Sequence, residues 1–261
     1  MPTLDRPDGT LVYDVAGSGP PLMLVTGLGG SRHYWANLLP ALTARFTVVT
    51  HDHMGTGDTT SRRAHHTVEA LAADVLALMD HLGFAKADLI GHSTGAAVGQ
   101  ILGADAPHRL GRMVLFAGWA GPDPHFDLCF QVRKDLLLAA GTAAYHRASP
   151  LFLYPPRWIA EDKTRLDALI ATMIATSPPA QTMAARIDML LAFDRRAQLP
   201  QIQVPTLVLV ADDDQLTPLH LSQEMAAAIP GARLARLAWG AHAASQTDPD
   251  AFLAATLDML A

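Results

Sequence analysis

Apolar runs bounded by turn residues dominate the chain up to Ala117. Thr10–Val15 follows the turn pair Asp8-Gly9 and ends at Gly17-Ser18-Gly19-Pro20, which predicts a strand between two turns. Pro21–Val25, stopped by Gly27, and Phe46–Thr50, stopped by Asp52, are continuous apolar runs of the kind found in strands covered on both faces. Between them, Tyr34–Leu42 reads as one helix. Val68, Leu71, Val75, Leu78, Met79 and Leu82 recur at helical spacing and Gly83 closes the segment. Ala87–Ile90 and Met113–Ala117 are further strand runs, with the small-residue helical segment Ala96–Leu102 between them.

Past Gly118 the pattern changes. From about 121 to 198 the signals are helical: Leu166, Leu169, Ile170, Met173 and Ile174 share one face, and Ser177-Pro178-Pro179 reads as a capped helix start before Met183, Ile187, Leu190 and Leu191. The strand pattern resumes at Val204–Val210. A helix (Leu219–Ile229), a last strand (Ala232–Ala238) and a terminal helix (Pro249–Leu260) follow. Alternating strands and helices with an inserted helical block predict an α/β fold. Its central sheet is mostly parallel and flanked by helices; residues 1–120 and 199–261 form the core and 121–198 a helical cap.

Composition narrows the classes of function. Of the 261 residues, 50% are hydrophobic and 17% charged, and the formal net charge is −6 without a long basic run, which argues against nucleic acid as a partner. No apolar stretch approaches the ~20 residues that span a bilayer, and the first nine residues lack a signal-peptide pattern. The single cysteine, Cys129, excludes an internal disulfide and fits a reducing cytoplasm. Twelve histidines raise the question of a metal, with His51-Asp52-His53 and His65-His66 as candidates; neither has the spacing of a known ligand motif, so no metal or cofactor is expected. The expected partner is a small-molecule substrate. A homodimer is carried as an expectation without a surface patch to support it.

The chemistry centres on Gly91-His92-Ser93-Thr94-Gly95, placed between a strand and a helix. In that context the serine occupies a sharp turn that exposes its hydroxyl, and the flanking glycines are required because the turn leaves no room for side chains. A serine needs a base, and the base an orienting acid, supplied in this chain order by loops after late strands. Trp239-Gly240-Ala241-His242 supplies His242, the one histidine in the last strand's exit loop. The loop after Val210 offers Asp212, Asp213 and Asp214, of which only one can serve; the others are turn residues, one of them a cap for the next helix. An oxyanion needs donors, and the backbone N–H groups of Thr94 and, in the glycine-rich turn Thr26–Ser31, of Leu28 are the candidates. A phosphate-loop reading of that turn fails because no Gly-Lys-Ser/Thr follows.

These motifs, in this order, resemble the α/β-hydrolase superfamily over nearly the whole chain. The family pattern places the acid four residues before a proline, which selects Asp214 with Pro218. Two departures stand out: Thr26 where many members have histidine, and Met54 where many have arginine in an Asp-x-Arg-Gly-x-Gly loop. Gly27–Ser31 with Tyr34-Trp35, Gly118-Trp119, Cys129–Arg133, and Leu151–Pro155 with Trp158 are similar to the aminoacrylate hydrolase family of bacterial pyrimidine utilisation. That resemblance implies hydrolysis of a small C–N substrate, aminoacrylate or carbamate, with ammonia released. Trp119, Arg133, Tyr154 and Trp158 are the candidate substrate-binding residues, Arg133 through a bidentate grip on a carboxylate. Tyr34 and Trp35 are expected to pack the cap or entrance. The rival readings are an enol-lactonase or small carboxylesterase on the same three residues, and a ligand receptor on the hydrolase fold with negligible turnover.

Overall fold

The computed structural model describes residues 1–63 and 65–260; Ala64 and Ala261, both inside the expected core segments, lie outside the described residues. Strands β1 (Thr3–Arg6), β2 (Gly9–Ala16), β3 (Pro21–Val25), β4 (Thr47–His51), β5 (Ala87–His92), β6 (Leu110–Phe116), β7 (Thr206–Ala211) and β8 (Arg233–Leu237) form one sheet in the order β1-β2-β4-β3-β5-β6-β7-β8. The pairs β1–β2 and β2–β4 are antiparallel, and every pair from β4 to β8 is parallel. Around it lie α1 (Leu39–Thr43), α2 (Val68–His81), α3 (Thr94–Asp105), α8 (Leu219–Ala228), α9 (Ala244–Thr247) and α10 (Pro249–Leu260). Between β6 and β7 the chain is helical: α4 (Pro124–Leu153), α5 (Pro156–Glu161), α6 (Lys163–Ala175) and α7 (Ala180–Ala192). The sheet, the flanking helices and this helical block agree with the class expected from the residue pattern. Among the described residues no helix is long and apolar enough to cross a membrane.

The continuous apolar runs divide by parity. Met23 and Val25 of β3, and Met113 and Leu115 of β6, enter the cluster on one face; Leu22, Leu24, Val114 and Phe116 enter the cluster on the other. Strand geometry turns successive side chains to opposite faces, so a strand covered on both sides has no polar positions to show. Leaving β3, the chain goes to β4 on one flank and returns to β5 on the other. The carboxyl ends of β3 and β5 therefore form a switch point, where neighbouring connections diverge and leave a crevice. The turn after β3 and Ser93 after β5 face each other there.

Two local expectations are corrected and one element is added. Tyr34–Leu42 is not one helix: a 3-10 turn (Arg32–Trp35), begun by the Ser31 side chain accepting from the His33 N–H, ends before α1, which starts afresh with Pro40 in its first turn. Ser177 does not cap α7; its hydroxyl donates to Pro178 O, and Pro179 is the cap residue. Thr3–Arg6, a segment for which the residue pattern predicts no element, is a strand paired to β2 through the turn at Pro7-Asp8. Its partly exposed, short edge carried too few apolar positions to register.

The turn at Ser93 is set by close approach. Ser93 has φ 53° and ψ −110°, outside the favoured regions for a residue with a side chain. A Cβ at Gly91 would lie 2.2 Å from Gly95 O, and one at Gly95 would lie 2.0 Å from Val25 O. Both are backbone atoms, of α3 and of β3, that cannot yield without moving the helix or the strand. Gly91→Ala or Gly95→Ala should therefore cost about 3 kcal/mol or more in urea unfolding. Gly29→Ala, where a Cβ would meet nothing within 4 Å, should stay within about 0.5 kcal/mol. Equal costs at all three positions would refute the steric account.

Candidate active site

The acid loop and the histidine loop meet beside the end of β6. His242 Nδ1 lies 2.9 Å from Asp214 Oδ2, and both side chains are buried. Asp214 Oδ1 accepts the N–H groups of Leu216 (2.9 Å) and Thr217 (3.0 Å), which fixes the carboxylate in its own turn. Thr217 Oγ1 stands 2.9 Å from Asp214 Oδ2, 3.1 Å from His242 Nδ1 and 3.0 Å from Ala117 O. The carboxylate accepts the Nδ1 proton, so Nε2 is left as the basic nitrogen. The three aspartates divide cleanly. Asp212 pairs with Arg236 at 2.7 and 2.9 Å, and Asp213 Oδ1 accepts the Ala241 N–H at 2.8 Å, holding the histidine loop against the acid loop. Neither caps α8, whose cap residue is Pro218; the expected helix cap is replaced by a tie between the two loops.

Ser93 and His242 line one cavity of about 300 Å³, together with Gly27, Leu28 and Gly29 of the turn after β3. A Cβ on Gly27 would sit 3.2 Å from Ser93 Cβ, so the turn lies directly against the serine. Thr94 is the first residue of α3, where a backbone N–H has no intrahelical acceptor. The Leu28 N–H likewise has no acceptor among the described residues. No hydrogen bond joins Ser93 Oγ to His242 in this arrangement; such contacts commonly tighten only when substrate is bound.

The side chain before the serine is a structural partner. His92 Nε2 donates to His242 O at 2.9 Å, and the His92 ring stacks on Tyr34 at 4.7 Å. Tyr34 in turn lies 2.7 Å from Ser245 Oγ. Burial, and secondarily the neighbouring His242, holds His92 well below the usual imidazole range, so it stays neutral.

Candidate pocket residues separate into two groups. Arg133 and Tyr154 line the cavity, with Tyr154 Oη donating to Gln246 Oε1 at 2.7 Å. Trp119 does not line it. Its fully buried ring packs on Phe126 and Phe193. After β6 the chain turns sharply at Ala117, which has φ 51°, and this carries Trp119 under the cap instead of over the serine. Trp158 also misses the cavity: it stacks behind Tyr154 at 4.5 Å, and Arg165 lies over its ring. Trp35 belongs to the core against Phe252, whereas Tyr34 reaches the cavity wall.

Four contributors escaped the sequence: Thr217, His92, His146 and Arg186. Thr217 stands three residues after the acid, a turn spacing that carries a retrospective signal. Arg186 crosses from α7 to the core. It donates to Thr56 Oγ1 at 2.7 Å and Met54 O at 2.9 Å, and its Nη1 lies 3.5 Å from Leu28 O. A guanidinium thus supports the loop where the sequence has Met54, but it arrives from the cap. Burial pushes this guanidinium down to about 10. Arg32, buried, is held by Asp14, Asp52 and Asp58 below the same turn. Among the described residues no group of three His, Cys, Asp or Glu is arranged to hold a metal ion.

A mostly parallel sheet with a strained serine after its fifth strand, and a buried Asp–His pair on the loops after its seventh and eighth, is the architecture of an α/β hydrolase. Residues 20–150 match the family model described as alpha/beta hydrolase fold. The protein named "Putative carbamate hydrolase RutD" of Azorhizobium caulinodans is 43% identical over 252 residues, covering 97% of this chain and 95% of that protein. Among solved structures, a hydrolase from Pseudomonas aeruginosa PA01 superposes with TM-score 0.90 at 32% identity, covering 99% of this chain and 97% of the other. The enol-lactonase from Burkholderia xenovorans LB400 does so with TM-score 0.91 at 27% identity, covering 99% of each. The chain belongs to the α/β-hydrolase family and, within it, to the group of its RutD relatives.

The buried histidines set a pH limit on the fold. Burial pushes His51 down to about 4 and holds His53 and His92 well below their ordinary value of 6.5. Above that value neither the folded nor the unfolded chain protonates these rings. As the pH falls from 6.5 towards 4, the unfolded chain binds protons that the folded chain refuses, so stability is lost by up to about 1.4 kcal/mol per pH unit for each ring. Urea midpoints measured from about pH 7.5 to about pH 5 should fall below pH 6.5, and His53→Phe should flatten the slope. A level profile across this window would contradict the neutral-histidine assignment.

Proposed function

We propose that this chain is a serine hydrolase acting on a small C–N substrate of carbamate or aminoacrylate type. Ser93 Oγ attacks the acyl- or carbamoyl-like carbon while His242 Nε2 takes the hydroxyl proton. The Oγ–C bond forms, and the C–N bond then breaks as His242 returns that proton to the leaving nitrogen, which departs as ammonia. With carbamate, water deprotonated by His242 attacks the Ser93-bound carbonate, releases bicarbonate and restores Ser93; with aminoacrylate, whose C–N carbon is at the aldehyde level, Ser93 adds to the imine tautomer, ammonia leaves, and water at the same carbon releases the aldehyde and restores Ser93. Asp214 holds the imidazole by its Nδ1–H and stabilises the imidazolium. The N–H groups of Leu28 and Thr94 receive the oxyanion.

The observation that carries this reading is the Asp214 carboxylate 2.9 Å from His242 Nδ1, with His242 on the wall of the cavity that Ser93 also lines. The relatives named for carbamate hydrolysis support the C–N bond as the target. A second reading, an enol-lactonase or small carboxylesterase, is favoured by one observation: the cavity of about 300 Å³ is roomier than carbamate requires and much of its wall is apolar, including Leu153, Leu169 and Met173.

Ammonia release from freshly generated aminoacrylate and from carbamate, with Ser93→Ala as the blank for spontaneous decay, separates these readings. Release well above the blank is expected, and Ser93→Ala and His242→Ala should each lose about 10³-fold or more in kcat. A fluorophosphonate should label Ser93 in the folded protein. Ester cleavage without ammonia release would transfer the assignment to a C–O substrate. Absence of both labelling and turnover would refute the serine hydrolase.

A further inference from the structure

The cap side of the cavity holds two basic side chains whose hydrogen-bonding capacity is unspent. Arg133 is 5% exposed and lies over the rings of Phe130 (5.3 Å), Tyr145 (5.1 Å) and Phe152 (5.5 Å). Its Nη2 donates to Tyr145 Oη at 2.8 Å, while Nε has no partner. Among the described residues no carboxylate stands within ion-pair distance of it. His146, 7% exposed, lines the same cavity, and its Nε2 is buried without a partner. Burial, then the adjacent Arg133, pushes the ring down to about 4, so it is neutral at physiological pH with one N–H and one lone pair.

The meeting of these residues is built into the cap. A straight helix would separate Arg133 and Tyr145 by ~18 Å. Gly141, with φ 81° and ψ 174°, breaks α4 between them and brings the two arms together. Three aromatic faces and one hydroxyl compensate part of the cost of a buried guanidinium, but a cation without a counter-charge remains expensive in a cavity wall.

We propose that Arg133 and His146 form a carboxylate-binding subsite in the cap, the guanidinium gripping the anion and the imidazole N–H completing its hydrogen bonds. Hence the substrate is a small acid and not a neutral ester or amide. The inference rests on the reading of the Ser93 cavity as the place of reaction.

The test compares 4-nitrophenyl hydrogen succinate with 4-nitrophenyl acetate. Wild type should favour the charged ester by about tenfold or more in kcat/KM. Arg133→Met should lower that ratio by about tenfold, chiefly through KM, Arg133→Lys should restore part of it, and His146→Val should lower it by about threefold. Succinate should raise the melting temperature of Ser93→Ala but not of Ser93→Ala/Arg133→Met. If Arg133→Met does not fold, Arg133→Gln and His146→Val carry the same comparison. An equal ratio in wild type and variants, with Ser93→Ala still inactive on both esters, overturns the subsite and leaves the hydrolase standing. Succinate-dependent stabilisation that needs Arg133, in a wild type without turnover, supports the subsite and overturns the hydrolase reading.

Discussion

Everything at the site hangs on one steric constraint: the chain must pass from β5 into α3 within a single residue. That residue, Ser93, takes φ 53°, and the strain is tolerated because the backbone around it leaves no alternative. Gly91 lies against Gly95 O and Gly95 against Val25 O, so strand, turn and helix are locked to each other and to β3. The Ser93 N–H is itself committed to Phe116 O at 2.8 Å, which ties the turn to the end of β6. The turn after β3 therefore cannot drift from the serine, and the loops after β7 and β8 are brought to it by the parallel order of the sheet. The orientation of the serine is a property of the packed core rather than of a flexible loop.

Legibility followed how local each signal was. Ser93 and His242, with an acid in the loop after Val210, stood out as candidates because strand–turn–helix punctuation and chain order are properties of contiguous residues. The choice among Asp212, Asp213 and Asp214 needed the family pattern, since three adjacent carboxylates differ only in which way the turn faces them. In the structure Arg236 holds the first and the Ala241 N–H the second. Trp119 was misplaced because one left-handed residue, Ala117, redirects everything after it, and an alanine carries no mark of that backbone angle. Trp158 failed for a related reason: aromatic residues beside a pocket and aromatic residues behind it look alike in one dimension. Tyr34–Leu42 showed the opposite error, apolar continuity overriding the proline that divides it.

The seating of the cap was the least legible part, because it depends on side chains that meet across large separations. Arg186 lies 130 residues from Thr56 and 132 from Met54, yet it is nearly enclosed between them. At the other side of the hinge, the Arg195 N–H donates to Ala120 O at 2.7 Å and Arg196 Nη2 to Gly121 O at 2.7 Å, joining the two chains that enter and leave the cap. Nothing in the periodicity of α7 distinguishes a buried arginine that spans two layers from one on a solvated face; only the absence of a carboxylate partner marks it, and that is a three-dimensional fact.

Charge distribution draws these points together. The chain carries a formal net charge of −6, and most of its basic residues are matched: Arg32 by Asp14, Asp52 and Asp58, Arg63 by Asp8 and Asp74, Arg236 by Asp212. Arg133 and Arg186 depart from that rule. Both are buried, both come from the cap, and among the described residues neither faces a carboxylate. One lies in the wall of the cavity and the other lies behind the Leu28 turn. A field of that sign favours negative charge at a ligand in the cavity. An acidic protein that, among its described residues, leaves two buried cations without a carboxylate beside one cavity has an electrostatic asymmetry that burial alone would select against, and the anionic ligand proposed for that cavity gives it a physical reason.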